Sequence, residues 1–536
     1  MAISAADGYT RKTGRVQCVL VHVDVGTAAL GQGLHNASSG KVPMIIIAGE
    51  APATLSGVQG CRSEPVQWYQ DVHDQGDLVR PYSRYTYSLS VHDDIKRVIS
   101  RAKFMATTGV PGPVYLTASR EVLAAEACRP ANTVHKPIAT HCAGELSHGH
   151  ARHLARSLIK ARSPLVVTGY LGRDHDAVMQ LQRLTKLVPS LRVFDSEARY
   201  MSFPASDPAW ISPRTGARSA IAGADLILIL DCDVPWMPSK ICPASTATIW
   251  HLDLDARKDY MRQFNFGADL TLQVECKFAL ESICDELEGG SHQATIQSKD
   301  QADTESRQSS HAKGSEILHD LALSKIDSTI HADLLFATLR NGLPNDTIFA
   351  ADAVTNQSRL LEQLQLDKPG TFFTKGGSGL GWAMGASIGI KLALSEESTG
   401  RVSQDNASES DDPLVCCVIG DGAFMFSNPA VAFLDAAGHQ TPFLTIVINN
   451  SGWNATRMCV DDVHPHGVAA RSQDGLYKNH LKTVRPDHVG IAKAASGNSM
   501  WGLRVEREQE LSSALKDAVD VVKRKKVGAI LDVVIS

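Results

Sequence analysis

Apolar residues fall along this chain in short runs separated by longer mixed stretches. The runs are VQCVLVHV (16–23), PMIIIAG (43–49), GPVYLTA (112–118), SPLVVTGY (163–170), ADLILILDCD (224–233) and TIWHLDLD (248–255). DTIFAAD (346–352), LVCCVIGDG (414–422), PFLTIVINN (442–450) and AILDVVI (529–535) continue the series. Each is long enough for a strand and too short for a buried helix, and helical stretches lie between them, so the pattern predicts βαβ units. The later runs are continuous rather than alternating, which marks parallel strands covered on both faces. Ahead of the first run, Ala2, Ile3, Ala5 and Ala6 predict an amphipathic helix that Gly8 ends.

The runs group into three α/β blocks, at 1–135, 145–288 and 316–536. Between the last two lies a polar segment, 289–315, rich in Ser, Gln and charge and almost free of large apolar residues. It has too little apolar surface to fold and reads as an interdomain linker. A second polar insert, SEESTGRVSQDNASESDD (395–412), reads as a surface loop.

Length and composition suit a soluble multidomain protein: 536 residues, 43% hydrophobic and 21% charged. The 53 basic and 58 acidic residues leave a net charge of −5, with no basic stripe that would track nucleic acid. KRKK (523–526) reads as a solvated helix end. Eleven cysteines occur with no CxxC and no regular spacing, which points to a reducing compartment. No apolar run approaches the length of a membrane span, and no signal peptide is visible, so a cytoplasmic protein with no membrane partner is expected.

Chemistry concentrates in VIGDGAFMFSNPAVAFLDAAGHQTPFLTIVINNSGW (418–453). One buried strand ends in Gly420-Asp421-Gly422, and the next delivers Asn449-Asn450 to the same edge. In an open parallel sheet, ligands bind beyond the carboxyl ends of the strands. Asp421, Asn450 and the Gly452 carbonyl are hard oxygen ligands, a set that suits Mg²⁺ completed by phosphate oxygens and water. The glycines beside Asp421 would let backbone N–H groups approach a diphosphate. GDG alone reads as an acidic turn, and its pairing with Asn-Asn makes it specific. A further segment, TKGGSGLGWAMGASIG (374–389), is a glycine-rich turn opening a helix that must pack closely, with Leu380 projecting from it.

Together these segments resemble the thiamine diphosphate enzymes of the acetolactate synthase, benzoylformate decarboxylase and 2-hydroxyacyl-CoA lyase type. ADGYTRKTG (6–14), KVPMIIIAGEAP (41–52) and GPVYL (112–116) extend the resemblance over nearly the whole chain. It implies three doubly wound parallel-sheet domains: pyrimidine-binding, middle and diphosphate-binding. It further implies that thiamine diphosphate and Mg²⁺ serve to cleave or form a C–C bond next to a carbonyl, on a 2-oxo acid or 2-hydroxyacyl substrate. Asp421, Asn450 and Gly452 would hold the metal. Thr355, Asn356, Gly377, Ser378, Leu380, Gly420, Gly422 and Ala423 would contact the cofactor, with Leu380 propping it into a bent shape. His35 and Gln70 are candidates for facing the reacting centre, alongside His22, Asp24 and Gln67. A homodimer or homotetramer is implied, because the cofactor's two ends bind different subunits.

Three departures qualify the resemblance. VDVGTAALGQ (23–32) stands where acetolactate synthase carries a Ser-Gly-Pro-Gly pattern, leaving synthase, decarboxylase and lyase open. VVTGYLGRD (166–174) lacks the full GxGxxG spacing, so FAD or another nucleotide in the middle domain has little support. The family's activating glutamate would fall just upstream of Met1, and no Glu precedes Glu50. The sequence is therefore expected to lack an N-terminal segment of the first domain, with a non-catalytic cofactor-binding or regulatory homologue as the alternative.

Overall fold

The computed structural model describes residues 1–126, 138, 144–289, 293–324, 329–401, 412–471 and 486–536. Three parallel sheets form, one in each block. The first contains β1 (Gln17–Val21), β2 (Met44–Glu50), β3 (Tyr85–Ser88) and β4 (Pro113–Ser119), in the order β1-β2-β4-β3. The second contains β5 (Pro164–Thr168), β6 (Arg192–Asp195), β7 (Leu226–Leu230), β8 (Thr248–Asp253) and β9 (Leu270–Gln273), in the order β6-β5-β7-β8-β9. The third contains β10 (Ile348–Asp352), β11 (Phe372–Thr374), β12 (Val415–Gly420), β13 (Leu444–Asn449), β14 (Trp501–Val505) and β15 (Ala529–Val534). Their order is β11-β10-β12-β13-β15-β14.

Why the strands read as continuous apolar runs is visible in how they pack. In the first sheet, Met44, Ile46 and Tyr115 join the cluster of Leu34 and Ala37 on one face. Their neighbours Ile45, Val114 and Leu116 join Ala102 and Ala106 on the other. With both faces buried, every position along β2 and β4 gains from being apolar, at roughly 1.5–3 kcal/mol per large side chain.

The chain divides into two compact units: Met1–Cys142 with Lys375–Asp412 and Phe424–Thr441, and Ala143–Thr374 with Pro413–Ala423 and Pro442–Ser536. The first unit holds the four-stranded sheet and the second holds the other two. The third block is thus shared between the units, its glycine-rich segment belonging to the first.

Within the first unit, Gly8 does not end the opening helix, which runs Ala2–Thr13 and closes at Gly14 in the left-handed conformation (φ 70°). The reason is a helix crossing. A Cβ on Gly8 would fall on the backbone of Ala386, and one on Gly389 would fall on the carbonyl of Ala5. Small residues on both partners let the opening helix lie directly against the helix Trp382–Arg401. Beside the crossing, the fully buried Asp7 accepts from Arg11 Nε at 2.6 Å, and Arg11 lies 5.2 Å over the Trp382 ring. Burial pushes the Asp7 pKa up, and Arg11 opposes the shift.

In the second unit, the polar segment expected to stay unfolded enters a 31-residue helix, Gln293–Leu323. Its Gln, Glu, Lys, Arg and Ala residues are good helix formers, which outweighs the shortage of apolar surface. Tertiary contacts then hold it: Gln363 Nε2 donates to the Leu318 carbonyl at 2.9 Å, and Leu318 is buried. The insert at 395–412 is likewise helical as far as Arg401, and its residues 402–411 lie outside the described residues.

Gly8→Ala and Gly389→Ala are each expected to destabilise the protein by about 1–3 kcal/mol in urea unfolding, the usual cost of overpacking. Gly438→Ala, whose Cβ would meet open space, serves as the control and should leave the midpoint unchanged or raised.

Candidate functional site

In the second unit, parallel register brings three strand ends together. Asp352 of β10 pairs with Ile419, and Gly420 of β12 pairs with Ile448 of β13. The chain leaving β12 therefore starts beside the chain leaving β13. Asp421 is 5% exposed, and its Oδ2 accepts from the Gly452 N–H at 3.1 Å. Asn450 Oδ1 accepts from the same N–H at 3.3 Å, so a carboxylate and an amide oxygen meet at one point. Asp421 Oδ1 accepts from the Gly422 N–H at 2.8 Å, which occupies one of the backbone donors expected to face a diphosphate.

Burial pushes the Asp421 pKa up, while the N–H groups of Gly422 and Gly452 and the nearby His488 pull it down. Its partners are backbone dipoles rather than a paired guanidinium or ammonium. A Cβ on Gly422 would meet open space, so the carboxylate stands beside room for a ligand. Gly420 closes β12, and Ala423 is buried two residues beyond Asp421. Among the described residues, no group of three or more His, Cys, Asp or Glu is arranged to hold a metal. A cation here would rest on one carboxylate with amide and carbonyl oxygens.

Sequence reasoning missed what fixes this edge. Asn449 points into the sheet, its Nδ2 donating to Asp532 Oδ1 at 2.9 Å, and its Oδ1 accepts from the Ser451 N–H at 3.2 Å. Asp532 also meets His488 Nδ1 at 3.1 Å and Arg504 Nη1 at 3.3 Å. The first asparagine of the pair is thus an anchor, and the second faces Asp421. The signal was available: a lone aspartate inside AILDVVI must find polar partners if that strand is buried.

Thr355 and Asn356 follow β10 in a single 3₁₀ turn, Val354–Asn356, with Asn356 buried and accepting from Arg359 Nη1 at 3.1 Å. Val354 sits at φ 42°, a strained value for a β-branched residue. Such strain clusters at functional sites.

In the first unit, the glycine-rich segment is gripped by the helix Gly31–Ser39. The Ser378 N–H donates to His35 Nε2 at 3.0 Å. Asn36 makes a two-way amide pair with Gly379, donating to its carbonyl at 2.9 Å and accepting from its N–H at 3.0 Å. Gln32 donates to the Leu380 carbonyl. A Cβ on Gly377 would strike the His35 ring, and one on Gly379 would lie 2.7 Å from Gln32 Cγ. Glycine is required here by the approaching helix. Gln32 and Asn36 were missed although GQGLHN places positions 32, 35 and 36 on one helical face.

Leu380 lines a cavity of about 440 Å³ in this unit, together with Ile3, His22, Gln32, Trp382 and Phe426. Asp24 Oδ1 is buried and lacks a hydrogen-bond partner among the described residues. Gln67 closes a local turn by accepting from the N–H groups of Ser63 and Glu64. Gln70 only terminates the short helix Val66–Tyr69 and does not line the Leu380 cavity.

At the carboxyl edge of the middle sheet, Arg173 donates to Asp231 at 2.8 Å. Lys258 Nζ bonds Asp233 and Asp253, each at 2.6 Å. Paired carboxylates share that edge with Gly169 and Gly172, which follow β5.

Comparison with known proteins agrees with the fold and with the sequence motifs. Residues 352–533 match the family described as thiamine pyrophosphate enzyme, C-terminal TPP binding domain, and residues 1–78 match its N-terminal TPP binding domain. The chain is 22% identical to the acetolactate synthase isozyme 3 large subunit of Escherichia coli (strain K12), covering 98% of this chain and 85% of that protein. It is 23% identical to the benzoylformate decarboxylase of Pseudomonas aeruginosa, covering 96% of this chain and 87% of that one. The benzoylformate decarboxylase structure from Polynucleobacter necessarius superposes with a TM-score of 0.76 at 18% identity, over 100% of this chain and 90% of the other. A thiamine diphosphate-dependent 4-hydroxybenzoylformate decarboxylase from Rhodococcus jostii RHA1 gives 0.74 at 19% identity, with the same coverage. With its parallel-sheet architecture, the chain carries both the N-terminal and the C-terminal TPP binding domains of the thiamine pyrophosphate enzymes.

Proposed function

We propose that the protein uses thiamine diphosphate and Mg²⁺ to cleave or form a C–C bond next to a carbonyl, with 2-oxo acids as the substrate class. The observation that carries this reading is the meeting of Asp421 and Asn450 on the single N–H of Gly452. A buried carboxylate whose hydrogen-bond partners are backbone dipoles is an unfavourable arrangement that a cation relieves. Asp421, Asn450 and the Gly452 carbonyl fit Mg²⁺, which takes few protein oxygens and shares the rest with phosphate and water.

When bound, the cofactor supplies carbanion stabilisation at the carbon that bonds the substrate carbonyl. The chain's own residues bind and orient. Asp421 would carry the charge of the metal site, and the Asn449–Asp532 anchor would hold Asn450 at a fixed reach. Thr355 and Asn356, at the end of the neighbouring strand β10, would meet the diphosphate. In the first unit, Leu380 would support the bent cofactor, its backbone already fixed by Gln32 and Asn36. His35 would hold the Gly377-Ser378 turn in place and face the reacting centre.

We read the protein as a homodimer or homotetramer. Met425, Phe426 and Leu434 are 46%, 48% and 59% exposed, an apolar group that supports association. The nine described cysteines are free thiols, which supports a cytoplasmic setting. No described helix is long and apolar enough to cross a membrane.

Asp421→Ala should abolish retention of thiamine diphosphate and Mg²⁺ through gel filtration, a loss beyond the roughly 10–100-fold seen on removing a mere supporting partner of a metal ligand. Undiminished retention would discard the metal assignment. Carbon dioxide release from a panel of 2-oxo acids, benzoylformate and pyruvate included, then tests the reaction class. Silence across the panel with cofactor bound would favour a non-catalytic protein.

A pH series separates the roles of the carboxylate. A folded pKa raised above the unfolded value means that stability is lost as pH rises through the folded pKa. Cation-free Asp421→Asn should therefore melt at a higher temperature than wild type at neutral pH. The difference should vanish below the ordinary carboxylate value of about 4. Added Mg²⁺ and cofactor should raise the melting temperature of the wild type alone.

A further inference from the structure

We infer that the second unit holds a separate anion site, a basic cavity of about 250 Å³ that takes a small phosphate-bearing molecule. It is independent of the metal and cofactor reading above. Its walls are the start of β6, the segment 208–219 and one face of the helix Gln293–Leu323.

The helix face is the first argument. Arg307, Ser310, His311 and Gly314 stand at positions i, i+3, i+4 and i+7, and all line the cavity. At two of these positions the face turns inward, with Ser310 left exposed between them: Arg307 Nη1 donates to the Thr185 carbonyl at 2.9 Å, and His311 Nε2 lies 2.8 Å from the Ala205 carbonyl. An inward helix face is ordinarily apolar. Here it presents cations and small polar groups, and a Cβ on Gly314 would meet open space.

The opposite wall supplies the second argument. Arg192, at the first position of the edge strand β6, is partly buried and has no carboxylate partner among the described residues. Burial pushes its pKa down, the sign of a guanidinium that lacks a compensating anion. Lys313 adds a further cation to the lining, and Trp210 adds an aromatic surface. No Asp or Glu lines the cavity, although the chain as a whole is acidic at −5. Guanidinium forks match phosphate oxygens in bidentate geometry, which favours phosphate over halide.

Position and size narrow the occupant. Arg192 opens β6, so the cavity stands at the amino edge of the middle sheet, away from the carboxyl edge where Asp231, Asp233 and Asp253 gather. A water's share of liquid volume is about 30 Å³, so there is room for roughly eight waters. That suits a phosphate group with at most a short carbon chain.

Calorimetric titration of the full chain with inorganic phosphate and with glycerol 3-phosphate, at constant ionic strength held by sodium chloride, tests the site. Each titration is run with and without thiamine diphosphate and Mg²⁺. One saturable site per chain is expected for at least one probe, with affinity indifferent to the cofactor. Arg192→Gln and the exposed-site variant Ser310→Glu should each weaken it at least tenfold while leaving the melting temperature within a few degrees. Tighter binding of glycerol 3-phosphate would assign the carbon chain to the cavity, and equal binding would assign phosphate alone. No saturable binding, displacement by thiamine diphosphate, or full affinity in both variants would overturn the inference.

Discussion

A carboxylate taken out of water needs a positive charge, and the constraint at Asp421 is of that kind. Its hydrogen-bond partners are backbone N–H groups, which orient it and only partly offset its desolvation. Everything around it keeps the arrangement from relaxing. Adjacent parallel strands fix where the chain emerges, the Gly452 N–H ties Asp421 to Asn450, and Asn449 is bolted to Asp532 behind them. A site held this way is preorganised: its oxygens keep their places without a cation, so the metal binding proposed above would spend little on reorganisation.

The first unit meets a different constraint, that of backbone approach. Its opening helix lies against the helix Trp382–Arg401 with no side chain between Gly8 and Ala386 or between Ala5 and Gly389. The segment carrying Leu380 is pinned by His35, Asn36 and Gln32 from a third helix. Glycine thus serves close packing at 377 and 379, in keeping with the tight packing expected of this segment, and the cofactor contact that the resemblance implied for Gly377 needs the same missing Cβ. Which helix presses on the segment is not legible locally, because that helix is remote in the chain.

Strand legibility followed burial on two sides. The ten runs recognised in the sequence became β1, β2, β4, β5, β7, β8, β10, β12, β13 and β15, of which all but β1 are interior to their sheets. The strands that went unread, β3, β6, β9, β11 and β14, are all sheet edges. An edge strand such as YTYS has one neighbour and is only partly covered, so selection for apolar residues is weak and its pattern merges with loops. The polar segment at 289–315 failed for a related reason. Helix formation needs backbone propensity, which Gln, Glu, Lys and Ala supply, whereas the shortage of apolar residues speaks only about core formation.

By itself the sequence determined the three α/β blocks, the covered strands and the two strand tips bearing Asp421 and Asn450, because these depend on local period and on the rule that parallel sheets expose their chemistry at one edge. The tertiary structure decided which asparagine anchors and which faces outward, what presses on the glycine-rich segment, and where Arg192 meets the cationic face of a helix more than a hundred residues away. Those outcomes rest on contacts between distant segments. Side-chain direction and charge spacing at such contacts are set by packing, and no window of local sequence contains them.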